Sequence, residues 1–152
     1  MATKLFNLPE HEKIRLKERY FTLRNGSNET GAVKERPWGC HEWRSATSGS
    51  RVFETRPRYG TVSVKKFLNK TDRKHVGHFT VNSHVLSYFL QHDTLPDDRT
   101  QVISHVCGNS KCVNAVHLVI EPQAVNLRRG LCFAGKKCTQ EHVPHCKIIK
   151  VS

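Results

Sequence analysis

No run of about 20 apolar residues occurs in this chain, and its first residues, Met1-Ala2-Thr3-Lys4-Leu5-Phe6-Asn7, lack the apolar stretch of roughly 7–15 residues that a secretory signal needs. Neither a membrane span nor export is expected. Apolar residues are scarce overall: the hydrophobic share is 37%, against roughly 45–50% in ordinary globular chains. The core should therefore be thin and need other support. Acidic residues are few as well, 13 Asp and Glu against 25 Lys and Arg, a formal charge of +12. Such a field favours a polyanionic partner and makes its binding salt-sensitive. No internal repeat and no low-complexity tract divides the 152 residues, a length that suits one domain.

Against these shortages stand six cysteines and ten histidines. In an intracellular chain thiols stay reduced, so metal binding outranks disulfides, and bound metal can supply folding free energy that a thin core lacks. Cys107, Cys112 and His117 are separated by four residues each, a spacing that lets one loop wrap three soft ligands around a tetrahedral ion. Cys40, left over by every other grouping, is the expected fourth ligand. Cys132, Cys138, His142 and Cys146 form a second zinc-type set, with His145 as the alternative histidine. Two zinc ions use all six thiols.

Along the chain, apolar residues at Ile14, Leu16, Tyr20, Phe21 and Leu23 among charges predict a surface helix over residues 8–24, followed by a polar loop up to about residue 35. Residues 36–100 carry the expected DNA-binding strands. Between Arg51 and Lys74, β-prone alternation coincides with Arg51, Arg56, Arg58, Lys65, Lys66, Lys70, Arg73 and Lys74, against only Glu54 and Asp72. A two-stranded ribbon with that basic face would fit a DNA major groove. A short helix is predicted over residues 83–91, capped by Asn82 or Ser83, with His84 and His92 as surface or core residues rather than ligands. Residues 101–105 and 117–120 read as strands, and 122–129 as a helix opened by Pro122 and stopped at Gly130. This places a histidine, His105, on the first strand of a hairpin and an asparagine, Asn126, on the helix that follows, an α+β arrangement of ββα-metal type spanning residues 101–146.

The run Ser104-His105-Val106-Cys107-Gly108-Asn109-Ser110-Lys111-Cys112-Val113-Asn114-Ala115-Val116-His117-Leu118, followed by Asn126 and Cys132, resembles the His-Cys box of group I intron-encoded homing endonucleases. The resemblance covers residues 104–146, with fainter echoes at Cys40 and the basic strands. It implies a site-specific double-strand DNA endonuclease with His105 as general base, Asn126 holding a catalytic Mg²⁺, and Arg58, or else Arg56, at the scissile phosphate. A homodimer on a near-palindromic target is expected, since cutting both strands asks for two active sites. Only six residues follow Cys146, so its interface should not depend on exchanged tails. The expected compartment is the nucleus. Competing readings are a zinc-stabilised sequence-specific DNA-binding protein without catalysis and a non-specific ββα-metal nuclease.

Overall fold

The computed structural model describes residues 3–25, 33–36, 38–44, 59–67, 75–139 and 141–148. Four helices and six strands follow one another there: α1 (Thr3–Phe6), α2 (Glu10–Asn25), β1 (Val33–Glu35), β2 (His41–Trp43), β3 (Thr61–Phe67), β4 (His75–Asn82), α3 (Ser83–His92), β5 (Gln101–His105), β6 (Leu118–Pro122) and α4 (Gln123–Ala134). The strands pair as three antiparallel two-stranded ladders, β1 with β2, β3 with β4 and β5 with β6. No described helix is long and apolar enough to cross a membrane.

Helix α2 begins where Pro9 fixes the backbone, and the Pro9 carbonyl accepts from the amides of Glu12 and Lys13. Glu10 and Glu12 lie in its first turn, where the helix dipole favours negative charge. Leu16 and Tyr20, one turn apart, point inward while Ile14 stays 53% exposed, so the inward stripe is narrow. Tyr20 stacks on Trp43 with ring centroids 6.4 Å apart. On β3 and β4, Val62, Val64, Phe79 and Val81 face the same core, and Ser63 and Thr80 face outward. Leu86 and Phe89 of α3 belong to the same core. Gly60 is needed at the entrance to β3, because a Cβ there would sit 2.3 Å from the Trp43 ring.

Strands β5 and β6 form a hairpin in which His105 pairs with Leu118 and Gln101 with Pro122. The twelve residues between them, 106–117, form the loop that carries three of the expected zinc ligands. Pro122 then serves as the N-cap of α4, so the chain turns from strand to helix at one residue. One sequence expectation fails here. Gly130 does not stop α4, which runs on to Ala134 and closes when the Gly135 amide bonds to the Leu131 carbonyl. Gly130 faces open space, with nothing within 4 Å of where a Cβ would project. An interior glycine weakens a helix by only about 1 kcal/mol, and the buried Arg129 and Cys132 on either side hold the helix through it.

Candidate functional site

Cys40, Cys107, Cys112 and His117 are all buried, and their ligand atoms lie within 4.8 Å of one another. The Sγ atoms of Cys40 and Cys112 stand 3.5 and 3.6 Å from His117 Nδ1. Zinc with arms of about 2.3 Å to sulfur and about 2.05 Å to nitrogen has tetrahedral S···N edges of about 3.6 Å. The quartet fits that ion. The Cys107 hydrogen bond holds the Cys112 thiol down, whereas burial pushes Cys40 up. Cys107 is raised too, first through its bond with Cys112 and then by burial. Unaided, the pocket favours one thiolate; a dication would stabilise all three.

Cys40 reaches the loop through backbone pairing. The amides of Trp43 and Val113 donate to the carbonyls of Lys111 and His41, both at 2.8 Å. Arg36 grips Glu42 with two nitrogens at 2.9 and 3.2 Å, and Asn109 Nδ2 adds a third bond to the same carboxylate at 3.2 Å. The Arg36 bond holds the Glu42 carboxyl below its ordinary range. A chain segment some 70 positions upstream is thereby fastened beside the loop that holds Cys107 and Cys112.

The second quartet, Cys132, Cys138, His142 and Cys146, also lies within 4.8 Å. His142 Nε2 stands 3.4, 4.0 and 3.6 Å from the three Sγ atoms. Zinc fits here as well. His145 is exposed, and His142 is the histidine that joins the thiols. Behind it sits Arg129, 1% exposed. Its Nε and Nη2 each donate to Glu121 at 2.7 Å, and Nη1 donates to the Pro144 carbonyl at 2.7 Å. The guanidinium thus ties β6 and α4 to the loop of the second quartet. Breaking a buried pair from one side strands the other charge, at about 3–5 kcal/mol. Arg129→Leu should lose about that much in urea unfolding, and Arg129→Leu with Glu121→Leu should recover part of it. A loss under 1 kcal/mol in the single variant would show that the pair carries no such load.

Between the quartets, the end of β5 and the first turn of α4 bring His105 and Asn126 to one cleft of about 300 Å³. Ser104 Oγ donates to Asn126 Oδ1 at 2.9 Å, joining strand to helix. His105 Nε2 lies 3.0 Å from the Cys112 carbonyl. A carbonyl only accepts, so Nε2 carries the ring hydrogen and Nδ1 the lone pair. Burial lowers the His105 pKa, which keeps that lone pair free. Tyr59 and His84 line the same cleft, with ring centroids 6.1 and 4.6 Å from that of His105.

Lys65 and Lys66 lie on the backbone of β3. Arg51, Arg56, Arg58, Lys70, Arg73 and Lys74 lie outside the described residues. His92 is exposed against Tyr88, whereas His84 is a buried neighbour of His105. Nothing in the sequence alone singles out Tyr59, Ser104, Glu121 or Arg129 as members of one site. A serine beside a candidate base, or a Glu and an Arg eight residues apart, has no spacing signature across a strand-to-helix turn. Only the folded hairpin brings these residues together.

Two Cys₃His centres that fit zinc, flanking a ββα unit in a mixed helix and antiparallel-strand chain, define the class as a zinc-stabilised domain of homing-endonuclease type. The chain belongs to the family described as the zinc-binding loop region of homing endonuclease, whose model matches residues 10–151. No curated protein and no solved structure matches it.

Proposed function

We propose that the chain is a Mg²⁺-dependent, site-specific endonuclease of the intron-encoded homing type that hydrolyses phosphodiester bonds in double-stranded DNA. Family membership supports a nuclease or DNA-binding role. The observation that carries the catalytic reading is the pairing of His105, its Nδ1 lone pair freed by the Cys112 carbonyl, with Asn126 across one cleft.

His105 Nδ1 takes a proton from water as the oxygen attacks phosphorus, and its neutral ring suits that task at physiological pH. Asn126 Oδ1 accepts from Ser104 with one lone pair, which leaves the second for a hard cation. Asn126 is therefore the residue that would hold Mg²⁺, which when bound supplies positive charge to the leaving 3′ oxygen. Ser104 holds the amide oxygen in place through that hydrogen bond. Arg58 is assigned to the scissile phosphate on the family resemblance alone, with Arg56 as the alternative; both lie outside the described residues. Both strands are cut by a homodimer on a near-palindromic target. The protein works in the nucleus.

Duplex binding rests on Arg51, Arg56, Arg58, Lys65, Lys66, Lys70, Arg73 and Lys74. Neutralising about six phosphates should weaken binding ~10³-fold between 50 and 200 mM salt. Replacing Lys65 and Lys66 together by alanine should flatten a plot of log affinity against log salt by about two phosphates' worth. An unchanged slope would remove β3 from the DNA-binding face. Catalysis itself is tested by incubating the zinc-loaded chain with duplex DNA with and without Mg²⁺. Scission only with Mg²⁺ supports the proposal; retention of intact duplex on the protein in both arms supports a binding protein instead.

A further inference from the structure

The residue that ends β4 has a side chain the fold does not use. Asn82 stands at the N-cap position of α3 with the extended backbone of a cap (φ −65°, ψ 135°), yet the capping bond expected of its side chain does not form. Asparagine at such a position normally engages its amide oxygen with a backbone N–H of the first turn. Here the turn from β4 into α3 is held another way, by the Ser83 amide donating to the Gly60 carbonyl at 2.7 Å.

The direction of the Asn82 side chain follows from the ribbon. Phe79 and Val81 are buried and Thr80 is exposed, so side chains alternate along β4 and Asn82 falls on the outward face with Thr80. Across the ladder Asn82 pairs with Thr61, and Thr80 with the exposed Ser63. This face, turned away from the core, is the one that the duplex covers in the reading above. At its Asn82 end it runs into the cleft, which Asn82 lines together with His105 and Asn126. Asn82 is half-buried there, open enough to meet a ligand and enclosed enough for a hydrogen bond to count.

A phosphodiester placed for attack between His105 and Asn126 presents its non-bridging oxygens to the rest of the cleft wall. Those oxygens only accept, and the Asn82 amide offers two N–H groups without adding charge. We infer that Asn82 is a further catalytic residue, whose Nδ2 donates to a non-bridging oxygen of the scissile phosphate. The inference rests on the nuclease reading. As water adds to phosphorus, negative charge gathers on the non-bridging oxygens, and a donor fixed beforehand at their position favours that state over the resting diester. No bond to Asn82 forms or breaks, and its hydrogens stay on the amide throughout.

Two variants separate this role from capping. Serine and aspartate cap helices as well as asparagine does, but serine is too short to reach where the amide reaches, and aspartate keeps the shape while offering no N–H. The full zinc-loaded chain is held in excess over a duplex of the sequence that wild type cuts from a randomised pool, with Mg²⁺ present. Asn82→Ser and Asn82→Asp should both cleave about 10²-fold more slowly than wild type, the scale of losing one donor to a developing charge. Zinc content should be unchanged and the urea midpoint not lowered. For the neutral serine variant, duplex affinity without Mg²⁺ should also match wild type, so that the loss lies in the rate of the bound complex. A wild-type rate in Asn82→Ser, or a fall in affinity that accounts for all of its lost rate, overturns the inference while the nuclease reading stands. A wild-type chain that cuts nothing overturns both. Should Asn82→Ser lose zinc, Asn82→Ala carries the same comparison.

Discussion

Freshly purified, folded protein should contain two zinc ions per chain, and a strong chelator should unfold the segment from β5 to Lys147. Structural zinc in finger-like sites contributes about 10–16 kcal/mol of apparent binding energy, against a typical domain stability of about 5–15 kcal/mol. Removing both ions therefore exceeds what the remaining core can offset. The second quartet is the more exposed of the two, with Cys138 and Cys146 only partly buried, and should surrender its ion first. Cys40→Ser should cost the first ion, because Cys40 is the ligand that reaches the loop from a distant part of the sequence, while the backbone bonds between β2 and the loop remain. Elemental analysis with circular dichroism during chelation reads both effects. One zinc or none in folded protein, or an unchanged spectrum after both ions are gone, would contradict the two-centre description.

His105→Ala and Asn126→Ala should each abolish measurable cleavage while leaving zinc content and duplex binding nearly intact. Loss of a general base typically lowers the rate by about 10²–10⁴, and loss of the side chain assigned to Mg²⁺ should cost at least as much. Neither residue belongs to a zinc quartet. His105→Ala gives up one hydrogen bond to Cys112, a loss of about 1 kcal/mol, which two bound zinc ions tolerate. Binding should survive because phosphate contacts come mainly from other residues. Single-turnover cleavage beside a binding isotherm separates the two effects. Loss of zinc in His105→Ala would make that residue a structural support, and wild-type cutting by both variants would place the active site elsewhere.

The sequence carried the parts of this account that depend on local spacing. Cysteines and histidines four to six positions apart announce a metal loop because few backbone paths between them are open, and Pro122 marks the strand-to-helix turn by its fixed backbone angle. Assigning Cys40 needed elimination rather than spacing, since it joins the loop through the β2 backbone and the Arg36–Glu42–Asn109 network. The end of α4 is not legible locally, because the propensity of Gly130 is outweighed by the burial of Arg129 and Cys132 on either side. His84 reads as an ordinary helix residue until the fold sets its ring against that of His105. Contacts between elements far apart in sequence leave no periodic trace, and those contacts shape the cleft.

The central claim is that this chain cuts DNA at a chosen sequence, and one measurement addresses it most directly. Zinc-loaded wild-type protein is incubated with a randomised duplex pool in Mg²⁺, and the cut ends are captured and sequenced. The account predicts ends that converge on one near-palindromic sequence, cut on both strands at a fixed offset, and no ends without Mg²⁺. Recovery of a bound but uncut consensus, or of cut ends with no consensus, would contradict it.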